Sequence, residues 1–169
     1  MHGFKSLVTL PAGSSLAVAL VLPVSADAEL VTRQNTNPDC AAAKKLASGI
    51  DANIKAQKQE QADVAAVKKI VSAENIDKAQ FDQAKKTLVA TVNSGIQIRE
   101  NNQKITPNGN AAVAGLDKVA TAQATELKQA KGLKGTAADM TTIAQLEKEF
   151  EGGIKQNQQN KKDALKGCQ

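Results

Sequence analysis

Apolar and small residues return at intervals of three and four along most of this chain, the spacing that lines one face of an α-helix. The first such stripe runs Cys40, Ala43, Ala47, Ile50, Ile54, then Val64, Val67 and Val71. Asn37 is placed to cap it, with Pro38 at the first helical position, where a missing N–H costs nothing. Residues Lys55 to Asp63 are polar on nearly all faces, but no Gly or Pro interrupts them. The pattern predicts one long helix to about Ser72, with a break near Asp63 as the alternative. The second helix has the clearest start. Asp77 and Gln80 stand at N-cap and N3, and Ile76 and Phe81 form the flanking hydrophobic-staple pair. Its stripe reads Phe81, Ala84, Leu88, Val92, Gly95 or Ile96, then Arg99, and Thr106-Pro107-Asn108-Gly109 ends it with turn chemistry. The third helix is expected from about Asn110, with Val113, Leu116, Ala120, Gln123, Leu127 and Ala130 at heptad spacing and Gly132 as its C′ residue. The fourth is expected from about Ala137, with Ile143, Leu146, Phe150, Ile154, Asn157, Lys161, Ala164 and Cys168 along one seam.

Four helices joined by short turns predict an all-α fold, an antiparallel up-down-up-down four-helix bundle. In that arrangement the start of the first helix and the end of the fourth share one end. Cys40 and Cys168 are the only two cysteines, and each lies in register with its own helix's stripe. A bundle closed by one terminal disulfide, Cys40–Cys168, follows; two free thiols are the alternative. Closing a loop of that length is worth roughly 5 kcal/mol in the loop-entropy treatment, as an upper figure.

The N-terminus favours the oxidised form. Lys5, the apolar run Leu16 to Leu22, the breaker Pro23 and the small-residue site Ser25-Ala26-Asp27-Ala28 have the layout of a secretory signal peptide. The run is too short for a transmembrane anchor. The expected organisation is a signal peptide at 1–28, a flexible segment at 29–37 in which Arg33 offers a propeptide-type cut, and a helical domain at 38–169. Secretion makes a disulfide the ordinary fate of an even, minimal cysteine count. The chain has no Asn-x-Ser/Thr sequon and no apolar tail for a lipid anchor. The expectation is an extracellular monomer, released or attached non-covalently.

Composition narrows the chemistry. There is no Trp or Tyr and only three Phe, so the core must be built from small side chains that bury little area per layer. The net charge is +5, supplied mostly by Lys. Nucleic-acid binding normally adds Arg and stacking aromatics, and it is not expected here; weak attraction to acidic polysaccharide or lipid is. Beyond the signal segment there is no His, so neither a Ser-His-Asp set nor the usual zinc ligands can be assembled. No cofactor motif is present, and no enzyme activity is expected. Glu147, Glu149 and Glu151 resemble an acidic cluster, but on a helix 149 points away from the other two. Arg99, on or beside the seam, has two readings: an anion site, or a register-fixing ion pair with Asp51, Asp117 or Asp163. Gly49, Gly95, Gly115 and Gly153 each cost about 1 kcal/mol in a helix relative to Ala. Close backbone approach or a small apolar pocket would account for them.

Three stretches carry a resemblance. Asn93-Ser94-Gly95-Ile96-Gln97-Ile98-Arg99-Glu100-Asn101-Asn102-Gln103, and Gly109-Asn110-Ala111-Ala112 with the terminal Gly167-Cys168, resemble small secreted proteins of filamentous ascomycete fungi, often described as cell-wall proteins. More loosely, the chain is similar to the hydrophobic surface-binding (galactomannoprotein) group, whose members adsorb to hydrophobic surfaces and help recruit lytic enzymes. The resemblance implies a secreted, non-catalytic protein of the cell wall or surface. The alternatives are an effector recognised by a host protein and a carrier of a small apolar ligand. With so lean a core, the bundle is expected to open at the end away from the disulfide. Opening there would present Val67, Val71, Phe81 and Ile143 to a surface, with Lys68, Lys69 and Lys78 close by.

Overall fold

The computed structural model describes residues 38–168. The expected signal peptide, the segment through Arg33 and the Asn37 cap lie outside the described residues. Within them are helix α1 (Pro38–Val71), α2 (Lys78–Ile105), α3 (Val113–Gly132), a 3-10 turn (Ala137–Asp139) and α4 (Met140–Ala164), with no strand. α1 is unbroken through its polar middle, because Gln57 and Glu60 turn inward there and give that stretch an inner face.

Each connection is set by local chemistry. Asp77 accepts the Gln80 backbone N–H at 3.0 Å, and the Gln80 side chain turns to the Asp77 carboxylate at 3.1 Å. That gives α2 its start, with one half of the expected capping box made to the side chain instead of the backbone. Asn110 orders the turn before α3 by accepting from the Ala112 N–H and donating to the Ala164 carbonyl. α3 therefore starts at Val113, three residues later than expected. One oxygen of buried Asp139 accepts the backbone N–H groups of Lys134, Gly135 and Thr136 at 2.7–3.1 Å, fixing the approach to α4. Gly132 stays within α3. The left-handed residue of that connection is Gly135 (φ 77°), and a Cβ there would meet the Phe81 ring at 2.7 Å.

The helices form a four-helix bundle in which α1 packs on α2 and α4, and α3 packs on the same two. Partner numbers rise along one helix and fall along the next. Asn53 meets Gly95 and Asp63 meets Thr91 between α1 and α2. Gln103 meets Asp117 and Arg99 meets Gln123 between α2 and α3. Lys161 meets Asp51 and Glu147 meets Lys68 between α4 and α1. Cys40 and Cys168 are joined by a disulfide with their Cα atoms 5.3 Å apart.

The interior holds two apolar clusters. The larger contains Val64, Val67, Val71, Phe81, Leu88, Ile143 and Phe150 among others; the smaller contains Leu46, Ile50, Ile54, Ala112, Leu116 and Ala164. The smaller cluster lies next to the disulfide in sequence on both α1 and α4, and it has no aromatic ring. The covalent bond thus reinforces the end where burial contributes least. Replacing both cysteines by Ser is expected to lower unfolding free energy by about 2–5 kcal/mol, read from denaturant midpoints, while the unreduced wild type takes up no thiol reagent.

Candidate functional site

Between the two apolar clusters every helix turns polar side chains inward. α1 supplies Asn53, Gln57 and Glu60, α3 supplies Gln123 and Glu126, and α4 supplies Asn157 and Asn160; all are at most 1% exposed. α2 contributes Gly95 and Arg99, and the Arg99 side chain is 11% exposed. The numbering places this layer between the clusters, with Ile54 of the smaller cluster interleaved on α1. On α1 it separates Ile50 from Val64, on α3 Leu116 from Ala130, and on α4 Ala164 from Phe150.

Part of the layer is a closed network. Asn53 donates to the Gly95 carbonyl at 2.7 Å. Asn157 donates to Asn53 at 2.7 Å and to Gln57 at 2.9 Å, and Asn160 donates back to Asn157 at 3.3 Å. Arg99 donates to Gln123 at 3.2 Å and to Gln103 at 2.8 Å. Gln103 in turn reaches Asp117, so Arg99 is linked to one of its expected acids through an amide. Asp51 pairs with Lys161 and Asp163 accepts from Gln159. Arg99 thus ties α2 to α3 through glutamines.

The rest of the layer is not closed. Both carboxylate oxygens of Glu60 and both of Glu126 are buried without a hydrogen-bond partner in the protein, as are the amide nitrogens of Gln57 and Gln123. Burial, then the neighbouring Glu126 and Asp63, push the Glu60 carboxyl up to about 8. Burial, then Glu149, push Glu126 up to about 7. Asp63 itself is bonded by Gln59 and Thr91. Glu149 accepts from Gln129 and Gln145 through one oxygen, while its other oxygen is buried without a partner. Two buried acids therefore carry protons at mildly acidic pH and lose them near and above neutrality.

Four of the helical glycines, Gly49, Gly95, Gly115 and Gly153, make room for buried polar side chains. A Cβ at Gly95 would lie 2.6 Å from a Glu60 oxygen and 3.3 Å from the Gln123 amide nitrogen. One at Gly153 would collide with the Gln57 amide, one at Gly49 with Asn102 of α2, and one at Gly115 with Asn160 of α4. Each glycine is a notch that admits a polar tip from a neighbouring helix. Neither backbone contact nor an apolar pocket explains them, because the notches are filled.

Two expected seams hold at Leu116, Gln123 and Ala130 of α3 and at Ile143, Leu146, Phe150, Asn157 and Ala164 of α4, and are displaced by one position in between. α3 buries Leu116, Val119, Gln123, Glu126 and Ala130, while Val113 is 44% exposed and Ala120 and Leu127 are half-buried. α4 buries Gly153 and Asn160, leaving Ile154 and Lys161 half-buried. Reading apolar residues alone hid Glu60 and Glu126. The usable signal was spacing: Glu60 stands four before Val64, and Glu126 three after Gln123 and four before Ala130.

Val67, Val71, Phe81 and Ile143, expected as surface contacts, are at most 3% exposed in the larger cluster. Lys68 pairs with Glu147 at 2.9 Å, Lys78 pairs with Asp82 and lies over the Phe81 ring, and Lys69 is exposed. Glu147, Glu149 and Glu151 do not converge, since Glu151 pairs with Lys155 on the surface. Outside the bundle a shallow groove of about 580 Å³ between α1 and α4 is lined by Ile54, Leu165, Lys58, Lys161 and Lys162, with Asp51 opposing them. No helix among the described residues is long and apolar enough to cross a membrane. No family model, curated protein or solved structure matches the chain.

The raised carboxyls fix the sign of a pH effect. Below about 4.5, their ordinary value, both are protonated folded or unfolded and their stabilising contribution is complete. Above that the unfolded chain ionises them first, so stability falls with rising pH until the folded values near 7 and 8 are passed. Relative to Glu60→Gln/Glu126→Gln, the wild type is expected to lose on the order of several kcal/mol across this window, measured by urea unfolding at stepped pH. The neighbouring glycines of α4 give a second check. No atom lies within 4 Å of a Cβ at Gly152, so Gly152→Ala should stabilise by about 0.5–1 kcal/mol. Gly153→Ala, which collides with Gln57, should destabilise by about 1–3 kcal/mol, and thermal melts compare the two.

Proposed function

We propose that this is a secreted, non-catalytic protein of the cell wall or cell surface that adsorbs to hydrophobic surfaces by opening an antiparallel up-down-up-down bundle. The observation that carries the reading is where the apolar side chains are. Most of the large ones among the described residues lie inside and the rest are half-buried, with Val113 the exposed exception, and an incompletely hydrogen-bonded polar layer separates two modest clusters. A closed bundle of this kind offers an apolar surface little to bind; an opened one offers both clusters. The lysines of the α1–α4 groove would add attraction to an acidic wall polymer. The filled glycine notches remove the motive for reading the chain as a carrier of small apolar ligands.

The antiparallel arrangement makes the covalent chain a ring. At one end the disulfide joins α1 to α4 and residues 106–112 join α2 to α3. At the other, residues 72–77 join α1 to α2 and residues 133–139 join α3 to α4. Opening therefore splits the helices into two pairs. The end opposite the disulfide holds Phe81, Phe150 and most of the buried aliphatic residues, so it is the better packed. The less costly split starts beside the disulfide, with the α2–α3 hairpin swinging from the tied α1–α4 pair. This reverses the end expected from composition.

A second disulfide tests the mechanism. A Cβ at Gly49 lies 3.0 Å from the Asn102 Cγ, which puts Gly49→Cys/Asn102→Cys close to disulfide separation and links α1 to α2 across the split. The wild type is expected to adsorb to octyl-coated beads and to isolated fungal walls, and the stapled form to bind at least about tenfold less. Equal binding by the two would sink the opening mechanism, and no binding by the wild type at any pH would sink adsorption itself.

A further inference from the structure

Two carboxylic acids buried on opposite sides of the split are placed to do more than weaken the bundle. We propose that Glu60 and Glu126 form a proton-operated latch: protonated, they hold the α2–α3 hairpin against the α1–α4 pair, and deprotonated, they release it. The proposal rests on the opening mechanism given above and supplies its control.

The placement carries the argument. Glu60 is on α1 and Glu126 on α3, so the two belong to different halves of the opening bundle. The charged groups around them come from all four helices. Asp63 stands beside Glu60 on α1, and Glu149 of α4 faces Glu126 of α3. On α2 the Arg99 guanidinium is turned to Gln123, Gln103 and Glu100. Ionising both acids therefore adds negative charge to a region already flanked by acids, with no cation directed at either carboxylate. The Glu126–Glu149 pair crosses the split as well, so repulsion acts twice in the same direction. The competing split, which would keep α3 with α4, leaves that pair together and relieves less.

The fully buried oxygens explain why the protonated form holds. A neutral carboxyl is both a donor and an acceptor, and its desolvation costs far less than that of a carboxylate. One Glu60 oxygen fills the Gly95 notch, which the Gln123 amide nitrogen also borders, and neither oxygen has a hydrogen-bond partner that would offset a charge there. The charged form loses the donor and keeps the burial. Opening then returns both carboxylates to water and, in the same motion, uncovers the smaller apolar cluster, Leu46, Ile50, Ile54, Leu116 and Ala164. Proton release and surface exposure become one event, driven by a rise in pH from acidic surroundings to near or above neutrality.

The latch is tested on the full secreted chain with two readouts. Spin labels at Lys55→Cys and Lys118→Cys, both exposed and on α1 and α3, report the separation of the halves by pulsed electron resonance. At about pH 9 the wild type should show a longer-distance population at least about tenfold larger than at about pH 5; Glu60→Gln/Glu126→Gln should show the short distance at both. Bead adsorption should follow the same pattern, rising about tenfold in the wild type and staying low in the double variant. An unchanged distance distribution in the wild type overturns the latch whatever the beads show, and so does a pH shift that survives in the double variant. A distance shift without any adsorption supports the latch and refutes the surface-binding reading on which its use depends. The neutral variant is expected to fold at least as well as the wild type, because it removes the ionisation and retains the shape. The single variants Glu60→Gln and Glu126→Gln should each keep part of the shift.

Discussion

The structure turns on the burial of carboxyl groups between four helices. Each unsatisfied polar group costs about 1–3 kcal/mol in an interior, and Glu60 and Glu126 bring four such oxygens between them. The fold bears this cost through geometry. Glycine notches on all four helices admit the polar tips, at about 1 kcal/mol each in helix propensity. The amides of Asn53, Asn157 and Asn160 bond to one another and to the Gly95 carbonyl, which locks the relative height of α1, α2 and α4. Arg99 does the same for α2 and α3. A bundle of Ala, Val and Leu alone could slide or re-register; buried directional bonds allow one register, the role polar residues play at the seams of coiled coils.

The same layer divides the hydrophobic contribution. Neither apolar cluster is continuous with the other, and the one beside the disulfide is built without aromatic rings. Cys40–Cys168 makes up for that at the point where burial is thinnest, by restricting the unfolded chain instead of adding native contacts. The two features depend on each other. Without the covalent tie, that end of α1 and α4 would be held only by the smaller cluster, the Asp51–Lys161 pair and the polar layer beside them. Without the polar layer, no directional bonds would fix the register of the tied helices. Stability in this protein is therefore set by neighbouring regions of one core, one covalently tied and one polar.

What the sequence by itself determined was the periodicity and its consequences. Stripes at three and four gave four helices, the Asp77–Gln80 start and the turn at Thr106–Gly109 set the limits of α2, and two cysteines in register with their stripes predicted the bond that closes the bundle. These are local properties or follow from an even count, so they survive without a partner. Tertiary structure decided which face of each helix is inside once charged residues are allowed there. Glu60 and Glu126 look like solvent residues in a string of letters, and the apolar spacing on α3 runs through Ala120 and Leu127, whereas Val119 and Glu126 are the buried positions. The difference is a rotation of about 100° per residue, and only the neighbouring helices choose between the two. The glycines show the same limit. Their cost could be counted from the sequence, but the side chain that fills each notch belongs to another helix, and packing alone brings it there.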